Sequence, residues 1–226
     1  MSVSFQHIVV LFSCYVFFFM AEKKSAKANS HRLDIILTRN GSMDIWQLKS
    51  IYGLLLFGSG IIYYKATGSI DFFNTSFFLQ EGNGMTILLM TIIFAVAVFY
   101  VASLNIRSRN ILQQGLPTTS FLPYFALRIP FLILSELFFR GALLFAMTEI
   151  AGPVTGIIVS VLLYVLINLF MDKKKIILSL LTGFVLAMLC TYTQSVWPAV
   201  IIQLSITLMY ETRLIKYSTT LKPNTK

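Results

Sequence analysis

Charge is what this sequence has least of. Lys, Arg, Asp and Glu make up 12% of its 226 residues, about half the roughly 25% of an ordinary soluble domain. A water-soluble globule of this length would lack the charges to cover its surface. Disorder is excluded as well, because 57% of the residues are hydrophobic and 14% are aromatic, with twenty Phe among them. Histidine is scarce. His7 and His31 both lie near the N-terminus, so every later segment is without an imidazole. The two cysteines, Cys14 and Cys190, sit inside apolar runs and offer neither a disulfide framework nor a metal-ligand spacing. No internal repeat is visible. What the chain does have is long apolar runs, and these point to an integral membrane protein.

A bilayer core about 30 Å thick needs roughly 20 mostly apolar residues per helix. By that measure seven stretches qualify: Val3–Met20, Leu48–Tyr64, Met85–Leu104, Phe121–Met147, Pro153–Met171, Ile176–Thr193 and Trp197–Tyr210. The second and last are short and need neighbours such as Trp46 or Thr212 to reach across. The fourth holds Pro123 and Pro130, which predict a kinked start and a continuous helix from about Pro130. The expected fold is therefore an all-α polytopic membrane protein of about seven transmembrane helices. Residues 1–20 are a transmembrane helix or signal-anchor, lacking the basic start and small-residue cleavage site of a signal peptide. Residues 21–47 are a polar linker with a short interfacial helix around Leu33–Thr38. Residues 48–212 are the helical bundle, and 213–226 are a basic tail.

The basic residues give the orientation. Lys23, Lys24, Lys27, Arg32, Arg39 and Lys49 precede or edge the second span. Arg107 and Arg109 follow the third, Lys173, Lys174 and Lys175 follow the fifth, and Arg213, Lys216, Lys222 and Lys226 form the tail. All of these fall on one face, which the positive-inside rule makes cytoplasmic, with the N-terminus outside. The net charge of +9 is thus spread over loops and is not a nucleic-acid footprint. Expected partners are the bilayer and another integral membrane protein, with assembly as a homo- or hetero-oligomer. No cofactor or metal is expected.

Two charges lie where a bilayer should make them costly, at about 2.5–3.5 kcal/mol each on insertion scales. Glu136 and Arg140 are four apart in Leu134-Ser135-Glu136-Leu137-Phe138-Phe139-Arg140-Gly141, so on a helix they share a face. Either they are a structural ion pair that locks the bundle, or they belong to an intramembrane site. Arg128, seven residues before Ser135, either snorkels to the headgroups or reaches the same cavity.

The segment around Glu136 resembles the first motif of the CAAX prenyl protease and bacteriocin-processing family, also called Abi proteins, which normally reads Glu-Glu-x-x-x-Arg. Two later frames resemble its other motifs. Tyr164-Val165-Leu166-Ile167-Asn168 is similar to Phe-x-x-x-His, and Gln203-Leu204-Ser205-Ile206-Thr207, after Trp197-Pro198, is similar to His-x-x-x-Asn. The resemblance covers roughly Phe125–Tyr210 and implies the family's helical core. It also implies a site at Ser135, Glu136, Arg140, Asn168, Gln203 and Thr207, where active members use the first Glu and the two His to activate water and the Asn to hold the oxyanion.

This chain departs from that pattern. Ser135 stands at the first Glu, Asn168 and Gln203 at the two His, and Thr207 at the Asn. An amide has no protonation equilibrium near neutral pH and cannot relay a proton as imidazole does. Each general acid–base group contributes about 10²–10⁴ in rate, so losing several leaves negligible proteolysis. The resemblance and its departures together imply a catalytically inactive relative, serving as a binding or scaffold subunit in a bacterial inner membrane. The alternatives are an active endopeptidase using Glu136 in a rearranged site, or a bacteriocin self-immunity protein. A transporter is disfavoured by the absence of an inverted repeat.

Overall fold

A computed structural model of the chain describes residues 5–28, 43–67, 121–170 and 173–220, with isolated positions between 85 and 96. The described secondary structure is helical. Helix α1 runs Phe5–Lys27 and α2 runs Met43–Thr67. Helix α3, Phe121–Glu136, passes into a π-helical segment, Leu137–Leu143, and then into α4, Leu144–Ala151. Helix α5 is Pro153–Ile167 with a 3₁₀ turn at Asn168–Phe170, α6 is Lys173–Thr193 and α7 is Trp197–Thr220. The expected interfacial helix at Leu33–Thr38, His31 and most of the Met85–Leu104 span lie outside the described residues.

Five helices among the described residues are long and apolar enough to cross a membrane: Phe5–Lys27, Met43–Thr67, Leu122–Ala151, Pro153–Phe170 and Ile176–Thr193. The helix starting at Trp197 is not among them. Several helices outrun their apolar cores. Helix α1 continues past Met20 to Lys27, α2 starts at Met43 and not at Leu48, and α7 runs ten residues beyond Tyr210. The polar extensions of α1 and α2 are stabilised by packing on protein. Along α1 the buried residues are His7, Leu11, Cys14, Tyr15, Phe18, Glu22 and Ser25, a stripe of threes and fours that carries on through the charged end. Helix α2 repeats the pattern with Trp46, Lys49, Ser50, Gly53, Phe57, Ile61 and Tyr64.

The Leu122–Ala151 rod is the axis of the bundle, with 78% of its most apolar window buried against 17% for Pro153–Phe170. Helix α1 packs on α2, and α2 packs on α3 and the π segment. On the other side α4 packs on α5, α5 on α6, and α7 returns to α6 and α3. The core between them is aromatic. Phe57 lies 4.6 Å from both Phe18 and Phe138, and Phe18 and Phe131 are 5.7 Å apart. In a membrane such packing replaces the hydrophobic drive as the adhesive between helices.

Pro130 does not break the rod; the helix continues through it. A freed carbonyl is tolerable there because a membrane helix can re-satisfy it locally. The irregularity comes at Leu137–Leu143, all seven residues of which are buried. With helices on every side, the wider π turn places the successive side chains Phe138, Phe139 and Arg140 inside the bundle together. The rod ends at Gly152, whose φ of +85° suits glycine alone. Pro153 then starts α5 at the first helical position.

Candidate functional site

Glu136 closes α3, and Arg140 sits within the π segment that follows. Both are buried, Arg140 completely. Arg140 Nε lies 3.9 Å from Glu136 Oε2, an ion pair too long to be a hydrogen bond. Arg140 is held more firmly from other directions. Its Nη1 donates to Ser160 Oγ at 3.0 Å, the Ser160 hydroxyl donates to the Phe139 carbonyl at 2.8 Å, and the guanidinium lies 4.6 Å over the Tyr164 ring. Gly183 makes room for this arrangement, since a Cβ there would stand 3.2 Å from Arg140 Nη2 and 3.4 Å from the Tyr164 ring. Ser160 and Gly183, which as small residues signal only close helix approach, thus have a specific charge to accommodate.

In front of this cluster lies a cavity of about 140 Å³, and Ser135, Glu136, Asn168, Gln203 and Thr207 all line it. Five of the six positions implied by the resemblance therefore meet in one place. The sixth does not. Arg140 is absent from the lining because it stands behind Tyr164, so its role is to support the wall. Tyr164 organises the far side: its carbonyl accepts from Asn168 Nδ2 at 2.9 Å and its hydroxyl accepts from Gln203 Nε2 at 3.3 Å. The amide oxygens of Asn168 and Gln203 are left as acceptors. Ser135 donates its hydroxyl hydrogen to the Leu132 carbonyl at 2.8 Å, so it faces no base that would make it a nucleophile.

Two further ion pairs border the same space. Lys49 Nζ meets Glu22 Oε2 at 3.0 Å, with both side chains about 95% buried. Arg128 Nη2 meets Glu211 Oε1 at 2.8 Å, and Arg128 Nε reaches both carboxylate oxygens at 3.0 and 3.2 Å. Arg128 therefore does not snorkel away; it lines the cavity together with Glu22 and Lys49. Lys49, counted above with the loop charges, is 5% exposed and belongs to the bundle. Glu22, Lys49 and Glu211 carry no motif, yet a positional signal exists for each. Glu22 is four residues after Phe18, Lys49 is three after Trp46, and Glu211 continues the i, i+4 series from Gln203 and Thr207.

Residues 116–209 match the family model described as type II CAAX prenyl endopeptidase Rce1-like. Over this segment, less than half of the chain, the sequence is similar to the Rce1-like family. No curated protein and no solved structure matched the chain. The Rce1-like segment contributes α3 to α6 and the start of α7, hence every motif position in the cavity. The remaining wall comes from outside it, because Phe18, Glu22, Lys49 and Phe57 belong to α1 and α2.

The side chains gathered here offer hydrogen bonds and charge. Glu136 is the carboxylate in the motif set, and its Oε2 has no hydrogen bond among the described residues. The described imidazole, His7, is about 16 Å along α1 from Phe18 at 1.5 Å per residue, beside Tyr63 and Tyr64. Among the described residues no three His, Cys, Asp or Glu side chains converge as a metal site would require.

Proposed function

We propose that this chain is a catalytically inactive Rce1-like membrane protein, whose cavity binds without cutting and which serves as a subunit of a membrane complex. The observation that carries this reading is the lining itself. The motif positions converge on one cavity, but they present a hydroxyl, two amides and a threonine where water activation needs a proton relay. The size of the cavity supports it too. About 140 Å³ lies well below the roughly 300–1,000 Å³ of sites that enclose a drug-sized ligand. The charge distribution supports an orientation with the N-terminus outside. Lys23, Lys24 and Lys27 at the end of α1, Lys173 at the start of α6 and Arg213 near the end of α7 then share the cytoplasmic side with the cavity's ion pairs.

Purifying the tagged chain gently from its native membrane and identifying stoichiometric companions by mass spectrometry tests the assembly. A single membrane protein at near-equal amount is the expected result. Recovery of the chain alone from several mild detergents contradicts the subunit reading. One observation favours a second reading, an endopeptidase that relies on Glu136: its side chain lines the cavity and its Oε2 has no hydrogen bond among the described residues. That reading requires a peptidase activity that vanishes in Glu136→Gln.

A further inference from the structure

Three ion pairs surround the cavity, and they do not leave it uniform. The Glu22–Lys49 and Glu211–Arg128 pairs are tight, whereas Glu136 and Arg140 stand 3.9 Å apart. Two charged atoms are consequently underused. Glu136 Oε2 is a buried acceptor with no hydrogen bond. Arg128 gives its Nε–Nη2 edge to Glu211, and its Nη1 makes no hydrogen bond among the described residues. Both side chains line the same cavity, and they lie two turns apart on α3, about 12 Å of axial rise. The cavity therefore offers an anionic acceptor toward one end and a cationic donor toward the other.

Charge balance narrows the guest further. The charged side chains lining it are two acids, Glu22 and Glu136, and two bases, Lys49 and Arg128, so a guest of one sign would bring an uncompensated charge into a largely buried site, at a cost of several kcal/mol. A guest carrying both signs brings none. The walls between the polar ends are Phe18, Phe57, Phe131 and Phe139, and the helices that supply them are apolar enough to cross a membrane. The volume, about 140 Å³, is that of roughly five waters at about 30 Å³ each. That suits a headgroup and not a whole lipid.

We propose that the cavity holds a zwitterionic headgroup of the ammonium-phosphate class, with its ammonium on Glu136 and its phosphate on Arg128. This rests on the reading that the site binds without cutting, and it adds the class of ligand. Glu136 accepts ammonium N–H bonds alongside the Ser135 hydroxyl and the Gln203 amide oxygen. Arg128 keeps Glu211 on one edge of its planar fork and presents the other edge to the anion.

The test titrates the detergent-purified full chain with short-chain phosphatidylethanolamine, phosphatidylcholine and phosphatidylglycerol, with bound lipid read by native mass spectrometry. Ethanolamine and choline headgroups carry the same charges, but only the former has N–H donors. About tenfold tighter binding of phosphatidylethanolamine than of either other lipid is expected, since charge-assisted hydrogen bonds are the strong ones. Glu136→Gln should erase that preference, weakening phosphatidylethanolamine binding the most. Equal binding of all three lipids, tightest binding of phosphatidylglycerol, or a preference that survives Glu136→Gln each overturns the proposal. The wild-type comparison stands even if the variant does not fold. Free phosphoethanolamine should displace the lipid; failure to compete would place the lipid on the outer surface and refute the cavity. Peptide hydrolysis by the wild type would sink the binding-only reading, whereas a missing headgroup preference sinks this inference alone.

Discussion

Replacing Lys49 with Met should destabilise this protein far more than the loss of a surface charge would. Glu22 and Lys49 are 3.0 Å apart with side chains 4% and 5% exposed, and they tie the end of α1 to the start of α2. Removing the ammonium leaves Glu22 buried without its partner, a situation that costs about 3–5 kcal/mol. An exposed pair is worth only about 0.2–1 kcal/mol. Changing both residues, Glu22→Leu with Lys49→Met, removes both desolvation costs and should return stability to within about 1 kcal/mol of the parent, or above it. The assay is reversible unfolding in mixed micelles as SDS is raised, followed by tryptophan fluorescence. Trp46 lies one turn before Lys49, is fully buried and stacks on Tyr124 at 4.5 Å, so it reports on this corner of the bundle. The double-mutant cycle then gives the coupling directly. Single changes costing under about 1 kcal/mol, or a double variant no more stable than the weaker single, would refute the reasoning.

Ser160→Ala should cost about 1–3 kcal/mol in the same assay, because Arg140 Nη1 loses its acceptor inside the protein. Gly183→Val should cost about 1–3 kcal/mol by overpacking, since even a Cβ would press on Arg140 and Tyr164. Gln203→Leu should be nearly silent, at about 0.6 kcal/mol for one interhelical hydrogen bond in a membrane, because its contact with the Tyr164 hydroxyl is long at 3.3 Å.

The apolar runs were sufficient to place the described helices, since length and hydropathy are local properties. Their ends were not legible in the same way. Helices α1, α2 and α7 extend through Lys, Glu and Thr residues that look like loop by composition, and in α1 and α2 only the stripe of buried positions at threes and fours shows that they still pack. Carried past Phe18, that stripe reaches Glu22 and Ser25; carried back from Phe57, it reaches Gly53, Ser50 and Trp46. The π segment had no sequence signal, because Leu137–Leu143 is apolar around Arg140 and its register is set by the helices on all sides. Pro130, the loudest local signal in the fourth span, left the helix intact. In the site, Ser135, Glu136, Asn168, Gln203 and Thr207 were legible from motif order and spacing. That Arg140 stands behind the wall, and that Arg128 pairs with Glu211, depends on how α3, α5 and α7 cross, which no spacing within one helix encodes.

The most direct test of the central claim is to incubate the purified wild type and Glu136→Gln, in lipid nanodiscs at enzyme excess, with farnesylated peptides ending in a CAAX-type sequence. Mass spectrometry would follow release of the C-terminal tripeptide. The account predicts the same uncatalysed background from both proteins. Cleavage by the wild type that disappears in Glu136→Gln would show that the cavity still hydrolyses, and would contradict it.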